Sequence, residues 1–292
     1  MATLRDIKRR IKSVQSTEKI TNAMKMVAAA KLRKAQEGVI NARPYAHAIF
    51  DIFSHLTSDD DLSTNVFLKS REVKNVALVI VTADRGLCGA FNSNIIKEAT
   101  KYIDEEIKKN NLAAHLVCVG NKGSEFFRKR DYNVVFNKIG LFSNLQFQAA
   151  FEITNHIIDG YLTGIYDKVV IIYNEFKSII QQKIVLEQFL PIPVQKNNKK
   201  EIISSTNYIF EPDQNFILNY LIPKHLKAQM WRVLLESNAS ELGAKMTAMD
   251  NATTNAKEMI RTLQLKYNKE RQAAITKEIL EIVSGANALK AE

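Results

Sequence analysis

The longest regular pattern in the chain is a coiled-coil spacing of apolar and small residues near the C-terminal end. These positions alternate by four and three residues and comprise Leu242, Met246, Met249, Thr253, Ala256, Ile260, Leu263 and Tyr267. Residues 224–292 contain no proline, so we expect one helix of about 100 Å, at about 1.5 Å per residue. The register changes near Glu270. Ile275, Ile279 and Ile282 therefore lie on another face, which predicts a second partner for the last turns.

The N-terminal segment carries a related pattern. It predicts a helix over residues 3–42 whose contact face is formed by Leu4, Ile7, Ile11, Val14, Ile20, Met24 and Val27. We expect Arg43-Pro44 to kink or interrupt this helix, because a residue before proline avoids helical geometry. The helical pattern resumes over residues 45–56. Each of these two long helices has an apolar face that needs a partner. We therefore expect them to pack on each other as an antiparallel coiled coil.

The middle of the chain alternates between strand and helix patterns. Apolar runs rich in β-branched residues predict strands over residues 74–81, 112–119, 134–136, 168–173 and 179–189. Helices are predicted between them over residues 92–110, 121–130 and 144–162, with Asn92 or Ser93 as the first N-cap. This alternation predicts an α/β domain with a parallel, Rossmann-like sheet.

The domain plan follows from these patterns. Residues 1–56 are predicted as the N-terminal coiled-coil helix, 74–193 as an inserted α/β domain and 207–292 as the C-terminal coiled-coil helix. Residues 58–64 and 195–206 are polar and predict loops. Asp213 is predicted to cap the helix that follows it.

Charge is concentrated at the N-terminal end. The 292 residues have a net charge of +10, and residues 1–43 hold eleven Lys and Arg against three acidic residues. Such an arm suits nucleic acid, an anionic membrane surface or an acidic protein. Single-stranded nucleic-acid binding usually adds aromatic side chains for stacking, and none precedes Tyr45. The chain has no run of eighteen apolar residues and its start lacks the apolar core of a signal peptide, so we expect no membrane span.

The most enzyme-like stretch is the glycine-bearing turn at residues 82–92, between a predicted strand and a predicted helix. Such turns can bind phosphate through backbone N–H groups, but this one lacks the spacing of a dinucleotide or P-loop motif. We interpret it as a structural turn in which Asp84 and Arg85 pair with each other or tie the domain to the coiled coil. Cys88 is interpreted as a buried structural thiol. The five histidines are scattered, and no catalytic, cofactor or metal site is predicted.

Five stretches resemble one known family. They are IKSVQSTEKITNAMKMVAAAK at residues 11–31, DRGLCGAFN at 84–92, YIFEPD at 208–213, AKMTAMDNAT at 244–253 and YNKERQAAITKEI at 267–279. Together they resemble the gamma subunit of F-type ATP synthases, over the whole chain. The resemblance is most specific at the two termini, where the periodicity places the long helices.

The resemblance implies a rotary role. In that family the terminal helices turn inside a hexamer of alpha and beta subunits, and the α/β domain lies beside epsilon and above the membrane-embedded c-ring. Turning drives beta-subunit conformational changes and couples proton or sodium flow to ATP synthesis or hydrolysis. The subunit would have no catalytic residues or cofactor and would bind no nucleic acid. It would be peripheral to the membrane, at the cytoplasmic face of the bacterial inner membrane.

Carried over residue by residue, the resemblance implies three contact regions. The contacts with beta are Met24, Lys25, Arg271, Gln272 and Thr276. The apical bearing, an apolar tip turning in a hydrophobic sleeve, is Ile279, Ile282 and Val283, and the c-ring contact is Tyr208 and Glu211. Two alternatives remain open: an α/β enzyme domain that binds nucleotide or phosphate at the turn with Gly86 and Gly89, and a basic arm that binds nucleic acid.

Overall fold

The computed structural model describes residues 3–56, 65–179, 181–193 and 213–290. Its contacts divide the chain into two units. One, the coil unit, comprises described residues 3–28 and 246–290, and the other, the sheet unit, runs from 29 to 245. The predicted loops at 58–64 and 195–206, and the predicted c-ring residues Tyr208 and Glu211, lie outside the described residues.

The first element is the long helix α1, Leu4–Leu56. Thr3 begins it as a capping box: the Asp6 N–H donates to Thr3 Oγ1 at 3.3 Å, and the Thr3 N–H donates to Asp6 Oδ2 at 3.2 Å. The helix continues through Pro44, so an interruption at Arg43-Pro44 is wrong, whereas the kink stays a prediction. Proline removes one backbone donor, and the long flanking helical segments retain theirs.

The last element is the longer helix, here α5, Gln214–Lys290. The predicted cap is confirmed, since Asp213 Oδ1 accepts the Phe216 N–H at 2.9 Å. The helix contains Pro223. It begins directly after the predicted cap, ten residues before the proline-free stretch at 224–292.

Five strands form one sheet. They are β1 Asn75–Val81, β2 Ala113–Val119, β3 Val134–Lys138, β4 Lys168–Phe176 and β5 Gln182–Leu190. Their order is β3-β2-β1-β4-β5. The predicted parallel arrangement is confirmed for the first four strands, whereas β5 runs antiparallel to β4. Only five residues separate β4 from β5, too few for the crossover that a parallel pair needs.

Three shorter helices connect the strands: α2 Phe91–Tyr102, which continues as a π-helical turn Ile103–Lys108, then α3 Asn121–Arg128 and α4 Phe147–Leu162. A single 3-10 turn at Leu141–Ser143 precedes α4. The predicted N-cap of α2 is wrong. The helix begins after Ala90 without a side-chain cap, and Asn92 Oδ1 instead accepts the Ala83 N–H at 2.8 Å.

The sheet is covered on both faces within the sheet unit. Alternate β1 residues Ala77, Val79 and Val81 pack in a core with α4 and with Leu226, Met230 and Leu234 of α5. The intervening residues Val76, Leu78 and Ile80 face a second core made with α2 and α3. Burial on both faces accounts for the continuous apolar runs of the inner strands.

Candidate functional site

The coil unit is an antiparallel helix pair. The Thr253 hydroxyl donates to Thr21 Oγ1 at 2.8 Å, and Lys25 Nζ lies 2.6 Å from Asp250 Oδ1. Residue numbers thus rise along α1 as they fall along α5. The predicted antiparallel coiled coil of the two terminal helices is confirmed.

The predicted seam on α5 matches the observed burial. Met249, Thr253 and Ala256 are buried, and Ile260, Leu263 and Tyr267 are half-buried. Two further positions in the same rhythm, Glu270 and Ala274, are also half-buried. The change of register therefore lies a few residues later than predicted.

The predicted seam on α1 is correct in its first half and at Met24, which is half-buried, and wrong at Ile20 and Val27. Leu4, Ile7, Ile11 and Val14 are buried or half-buried, whereas Ile20 and Val27 are 59% and 56% exposed. The buried positions are Thr21 and Ala28, which continue the seven-residue step from Ile7 and Val14. The small side chains at Thr21 and Ala28 leave room for the opposite helix, and this places the larger Ile20 and Val27 outside.

The end of α5 extends beyond its partner. Extending the pairs Thr21–Thr253 and Lys25–Asp250 along the coil brings Leu4, the first residue of α1, opposite residues 270–271. Over residues 271–286 every side chain except that of Ala274 is exposed. Large apolar side chains are among them: Ile275, Ile279, Leu280, Ile282 and Val283. An apolar surface of this kind marks a contact with another molecule.

The predicted contact residues occupy two levels of the coil unit. Met24 and Lys25 are half-buried on α1, and Lys25 is engaged by Asp250 of the same chain. Arg271, Gln272 and Thr276 are exposed on the overhanging end, where the Thr276 hydroxyl donates to the Gln272 carbonyl at 2.9 Å. The two groups are separated by about 30 Å along α5, at about 1.5 Å per residue. They are therefore two separate candidate surfaces.

Sequence reasoning missed Asp250 and Thr21 as members of this unit. Asp250 is adjacent to the seam residue Met249, and an acidic residue beside a seam is the usual partner for a lysine on the opposite helix. Thr21 could have been found by extending the seven-residue step through polar positions. The side chains of Lys25 and Asp250 are 33% and 54% exposed, so water screens the pair and its contribution to stability is at most about 1 kcal/mol.

The glycine-bearing turn follows β1, next to the point between β1 and β4 where the strand order reverses, which is the usual ligand position in such folds. Its Asp84 carboxylate accepts N–H groups from the segments that follow β2 and β3. Asp84 Oδ1 accepts the Asn121 and Gly140 N–H groups at 3.2 and 2.7 Å, and Oδ2 accepts the Phe142 N–H at 3.0 Å. Among the described residues, Asp84 therefore does not pair with Arg85 or with the coiled coil, contrary to the prediction. Its hydrogen bonds join three segments inside the α/β domain.

The remaining features of this turn are also structural. A Cβ at Gly120, whose φ is +92°, would lie 2.0 Å from the Thr82 carbonyl oxygen, so the strand end and the start of α3 are in direct contact. Cys88 is buried, and burial raises the pKa of its thiol, as the structural interpretation predicts.

Metal clusters and membrane-spanning helices are both absent from the described ranges. Among the side chains that the structure describes, no group of three or more His, Cys, Asp or Glu is arranged to hold a metal ion. None of the helices in the same ranges has an apolar stretch long enough to cross a bilayer.

A coiled coil of the two chain ends with an α/β domain inserted between them in sequence is the architecture of ATP synthase central stalks. A chain of the Euglena gracilis mitochondrial ATP synthase, in a structure of its OSCP, F1 and c-ring, shares this fold with a TM-score of 0.67 and 20% identity. That likeness covers 99% of this chain and 95% of the other. A chain of the central stalk and c-ring structure from Tetrahymena thermophila mitochondria aligns with a TM-score of 0.63 and 26% identity, over 80% and 99%.

Sequence comparison is more specific than the fold. The family model described as ATP synthase matches residues 3–289. The ATP synthase gamma chain of Chloroherpeton thalassium is 50% identical over 301 aligned positions, covering 99% of both chains. The chain belongs to the ATP synthase gamma chain family.

Proposed function

We propose that this chain is the rotor of the central stalk of an F-type ATP synthase. It turns inside the hexamer of alpha and beta subunits and couples transmembrane ion flow to ATP synthesis or hydrolysis. Each orientation of an asymmetric rotor contacts three otherwise equivalent beta sites differently, and so changes their relative affinities. The observation that carries the proposal is the overhanging end of α5, whose exposed apolar side chains have the form of a surface made for a surrounding partner.

The contacts follow the two levels of the coil unit. Met24, Lys25, Arg271, Gln272 and Thr276 meet beta, and Ile279, Ile282 and Val283 form the apical bearing. Exposure of the last three at 54%, 70% and 49% supports a bearing role. The exposed basic face of α1 suits acidic surfaces of the surrounding ring.

At its other end the chain contacts epsilon and the c-ring. Tyr208 and Glu211 are proposed for the c-ring contact on the family resemblance alone. Replacing both with alanine should weaken retention of the head on c-ring vesicles, and unchanged retention would remove these two residues from the proposal.

The chain has no catalytic residue of its own in this proposal, and it is peripheral to the cytoplasmic face of the bacterial inner membrane. The coupling ion, proton or sodium, is set by the membrane sector. The enzyme alternative places an anionic phosphate at the turn after β1. The Asp84 carboxylate of that turn already accepts the N–H groups of Asn121, Gly140 and Phe142, and its negative charge there argues against an anion site. ATP binding by the isolated chain, lost on changing Gly86 or Gly89, would restore that alternative.

Assembly tests the proposal first. The chain is co-expressed with its own alpha and beta subunits and examined by native mass spectrometry. We expect one copy for each alpha-beta hexamer, and ATP-driven rotation of a bead fixed to the chain. A stoichiometry other than one, or hydrolysis without rotation, would contradict the rotor.

The proposed apical bearing is tested by introducing charged side chains at the C-terminal tip of α5. The double variant Ile279→Asp, Ile282→Asp should impair rotation, because two carboxylates would enter an apolar sleeve. The matched control is the double variant Met259→Asp, Leu265→Asp, which changes two exposed apolar side chains of α5 outside the bearing. Equal effects of the two changes would remove the special role of the tip.

The proposed contact between Lys25 and beta is tested by comparing variants of Lys25 and of its ion-pair partner, Asp250. If Lys25 acts on beta, Lys25→Ala should reduce turnover of the assembled head more than Asp250→Ala. If the pair serves only to join the two helices, the two variants should behave alike.

A further inference from the structure

A polar cluster joins the middle of α5 to the edge of the sheet within the sheet unit. Arg232 of α5 donates through Nη2 to both oxygens of Glu187 on β5, at 2.8 and 2.9 Å, and through Nη1 to the Tyr173 hydroxyl on β4 at 3.3 Å. The Tyr173 hydroxyl donates to Glu187 Oε2 at 2.9 Å, and Gln229 Nε2 donates to Glu187 Oε1 at 2.7 Å. Glu236, one turn along α5, lies 3.8 Å from Arg232.

The cluster is shielded from water. The side chains of Arg232 and Glu187 retain 21% and 26% of their exposure, and that of Glu236 retains 2%. Burial disfavours the charged guanidinium, but Glu187, Tyr173 and Glu236 together outweigh this effect and raise the pKa of Arg232. Burial also raises the pKa of Tyr173, which therefore remains a phenol that can donate.

Stability alone gives little reason for such a cluster. Removing two carboxylates and a guanidinium from water carries a desolvation penalty that their attraction often only balances, and apolar side chains of similar size are commonly as stable. What ion pairs and hydrogen bonds add is direction, because they weaken when the donor turns away from the acceptor. Apolar contacts depend much less on direction.

The rest of the α5 contact is mostly apolar. Leu226, Met230, Val233 and Leu234 pack in the sheet core, and such packing opposes separation of helix and sheet more than rotation of the helix about its own axis. A second directional contact follows two turns later, where the buried Ser240 hydroxyl donates to the Asn174 carbonyl of β4 at 3.1 Å. The polar contacts from Gln229 to Ser240 thus link α5 to β4 and β5 along one stretch.

We propose that Arg232, held between Glu187 and Glu236, is a positioning residue that fixes the rotational setting of α5 on the sheet and transmits torque between them. The inference rests on the proposed rotor function, in which torque arising at the c-ring must pass through the α/β domain into the helix that turns inside the head. Arg232 acts through the residues that it contacts, Glu187, Tyr173 and Glu236.

The test separates rotational stiffness from stability in the whole complex. An apolar triple variant, Glu187→Met, Arg232→Met and Glu236→Leu, removes the directed contacts of Arg232 and replaces both carboxylates and the guanidinium with apolar side chains of similar size. The readouts are the thermal unfolding midpoint, the angular fluctuation of a bead on the α/β domain with the head immobilised, and ATP synthesis in vesicles under an imposed ion gradient. Lys108→Met, which breaks an exposed ion pair with Asp104 in the same domain, is the matched control.

We expect the triple variant to assemble with a near-native unfolding midpoint, a wider bead fluctuation and a severalfold loss of synthesis. ATP hydrolysis by the detached head, in which the rotor turns against little load, should fall less than ATP synthesis does. Native stiffness and native synthesis in an assembled triple variant would overturn the inference.

Two further outcomes also decide the inference. If the triple variant does not assemble, Arg232→Lys takes its place, since it keeps the charge but loses the forked donors. A wider fluctuation supports the inference and native stiffness overturns it. If the wild-type complex itself shows no rotation, the proposed function fails, and that failure is distinct from the failure of Arg232 as its positioning residue.

Discussion

Helix α5 contains two stretches of opposite character. Between Leu218 and Leu242 it has ten apolar side chains that are buried in the sheet unit, and several, including Leu226 and Leu234, have no exposed surface. Between Arg271 and Ala286 nearly every side chain is exposed, and Ile282 is 70% exposed. Both stretches are helical and both are rich in large apolar residues.

The difference shows that the chain itself supplies a partner for only one of them. The first stretch is held by intrachain packing, so its composition is explained by folding. The second makes no comparable contact within the described residues, so its apolar side chains are explained by a contact made in the assembly. Four substitutions or conditions on α5 test this contrast, and their expected effects decrease in size.

The largest effect is expected from deleting side-chain volume in the buried stretch. Leu234→Ala should lower the free energy of unfolding of the isolated chain by about 2–5 kcal/mol, because it leaves a cavity in the core. Ile279→Ala, the matched change at the exposed end, should alter it by less than about 0.5 kcal/mol. Chemical denaturation measures both, and a loss at Ile279 that approaches the loss at Leu234 would break the comparison.

A pH-dependent effect is expected at His225, which is buried on the first stretch. Burial lowers its pKa to about 4, despite the opposing attraction of Glu187, while Arg232 adds to the lowering. The unfolded chain therefore binds a proton from about pH 6.5 downward while the folded chain does not, so stability is present above pH 6.5 and is lost toward pH 4. The loss should reach about 3 kcal/mol, at 1.36 kcal/mol for each unit of pKa difference.

Unfolding free energies at pH 7 and pH 4.5 measure this effect as the difference between the wild type and His225→Gln. Taking this difference cancels the contributions to stability of the other groups that titrate over the same pH range, because both proteins contain them. An equal fall in stability for both proteins would show that His225 is not the group responsible.

A smaller effect is expected at the seam, between the two stretches. Thr253→Val should destabilise the coil unit by about 1 kcal/mol, because it leaves the buried Thr21 hydroxyl without this contact. The double change Thr21→Val, Thr253→Val should cost less than the sum of the single changes. Hydrogen exchange of the amides at 246–267 reports the loss, and Thr262→Val, at an exposed threonine of the same helix, is the control. Strict additivity would mean that the two hydroxyls do not act together.

The smallest effect is expected at the glycines of α5. A Cβ at Gly285 would meet nothing within 4 Å, so Gly285→Ala should stabilise the local helix by about 0.4–1 kcal/mol. At Gly243 the added Cβ would lie 3.3 Å from the Ile179 carbonyl oxygen, and the same gain should be offset by crowding. Slower amide exchange at the tip in Gly285→Ala, without a change in global unfolding, is the expected result. A matching rise in global stability would indicate that the tip is packed within the isolated chain.

The sequence predicted features that depend on periodicity and missed those that depend on side-chain size or on distant partners. The seam from Met249 to Tyr267 was correctly predicted because its spacing repeats over several turns. Ile20 and Val27 were wrongly placed in the α1 seam because they are the more apolar residues locally, while the close approach of α5 selects the smaller Thr21 and Ala28.

Other parts could not be read from local sequence. The three N–H groups that donate hydrogen bonds to Asp84 belong to residues 37 to 58 positions away. No local sequence pattern encodes such contacts. The direction of β5 was not predicted, although the predicted strands at 168–173 and 179–189 already left only five residues between them, too few for a parallel crossover. The rotor contacts, the bearing, the c-ring contact and the domain limits at 1–56, 74–193 and 207–292 stay predictions.

The register in which α1 pairs with α5 allows distances along the coil unit to be measured with pairs of dyes. Because α1 begins opposite residues 270–271, a dye at position 4 and a dye at position 271 lie side by side across the coil. A dye at position 285 lies about 21 Å farther along α5 while the end stays helical, at about 1.5 Å per residue. Energy transfer between positions 4 and 285 therefore reads out the straightness of the overhanging end, in the free chain and again after a partner encloses it.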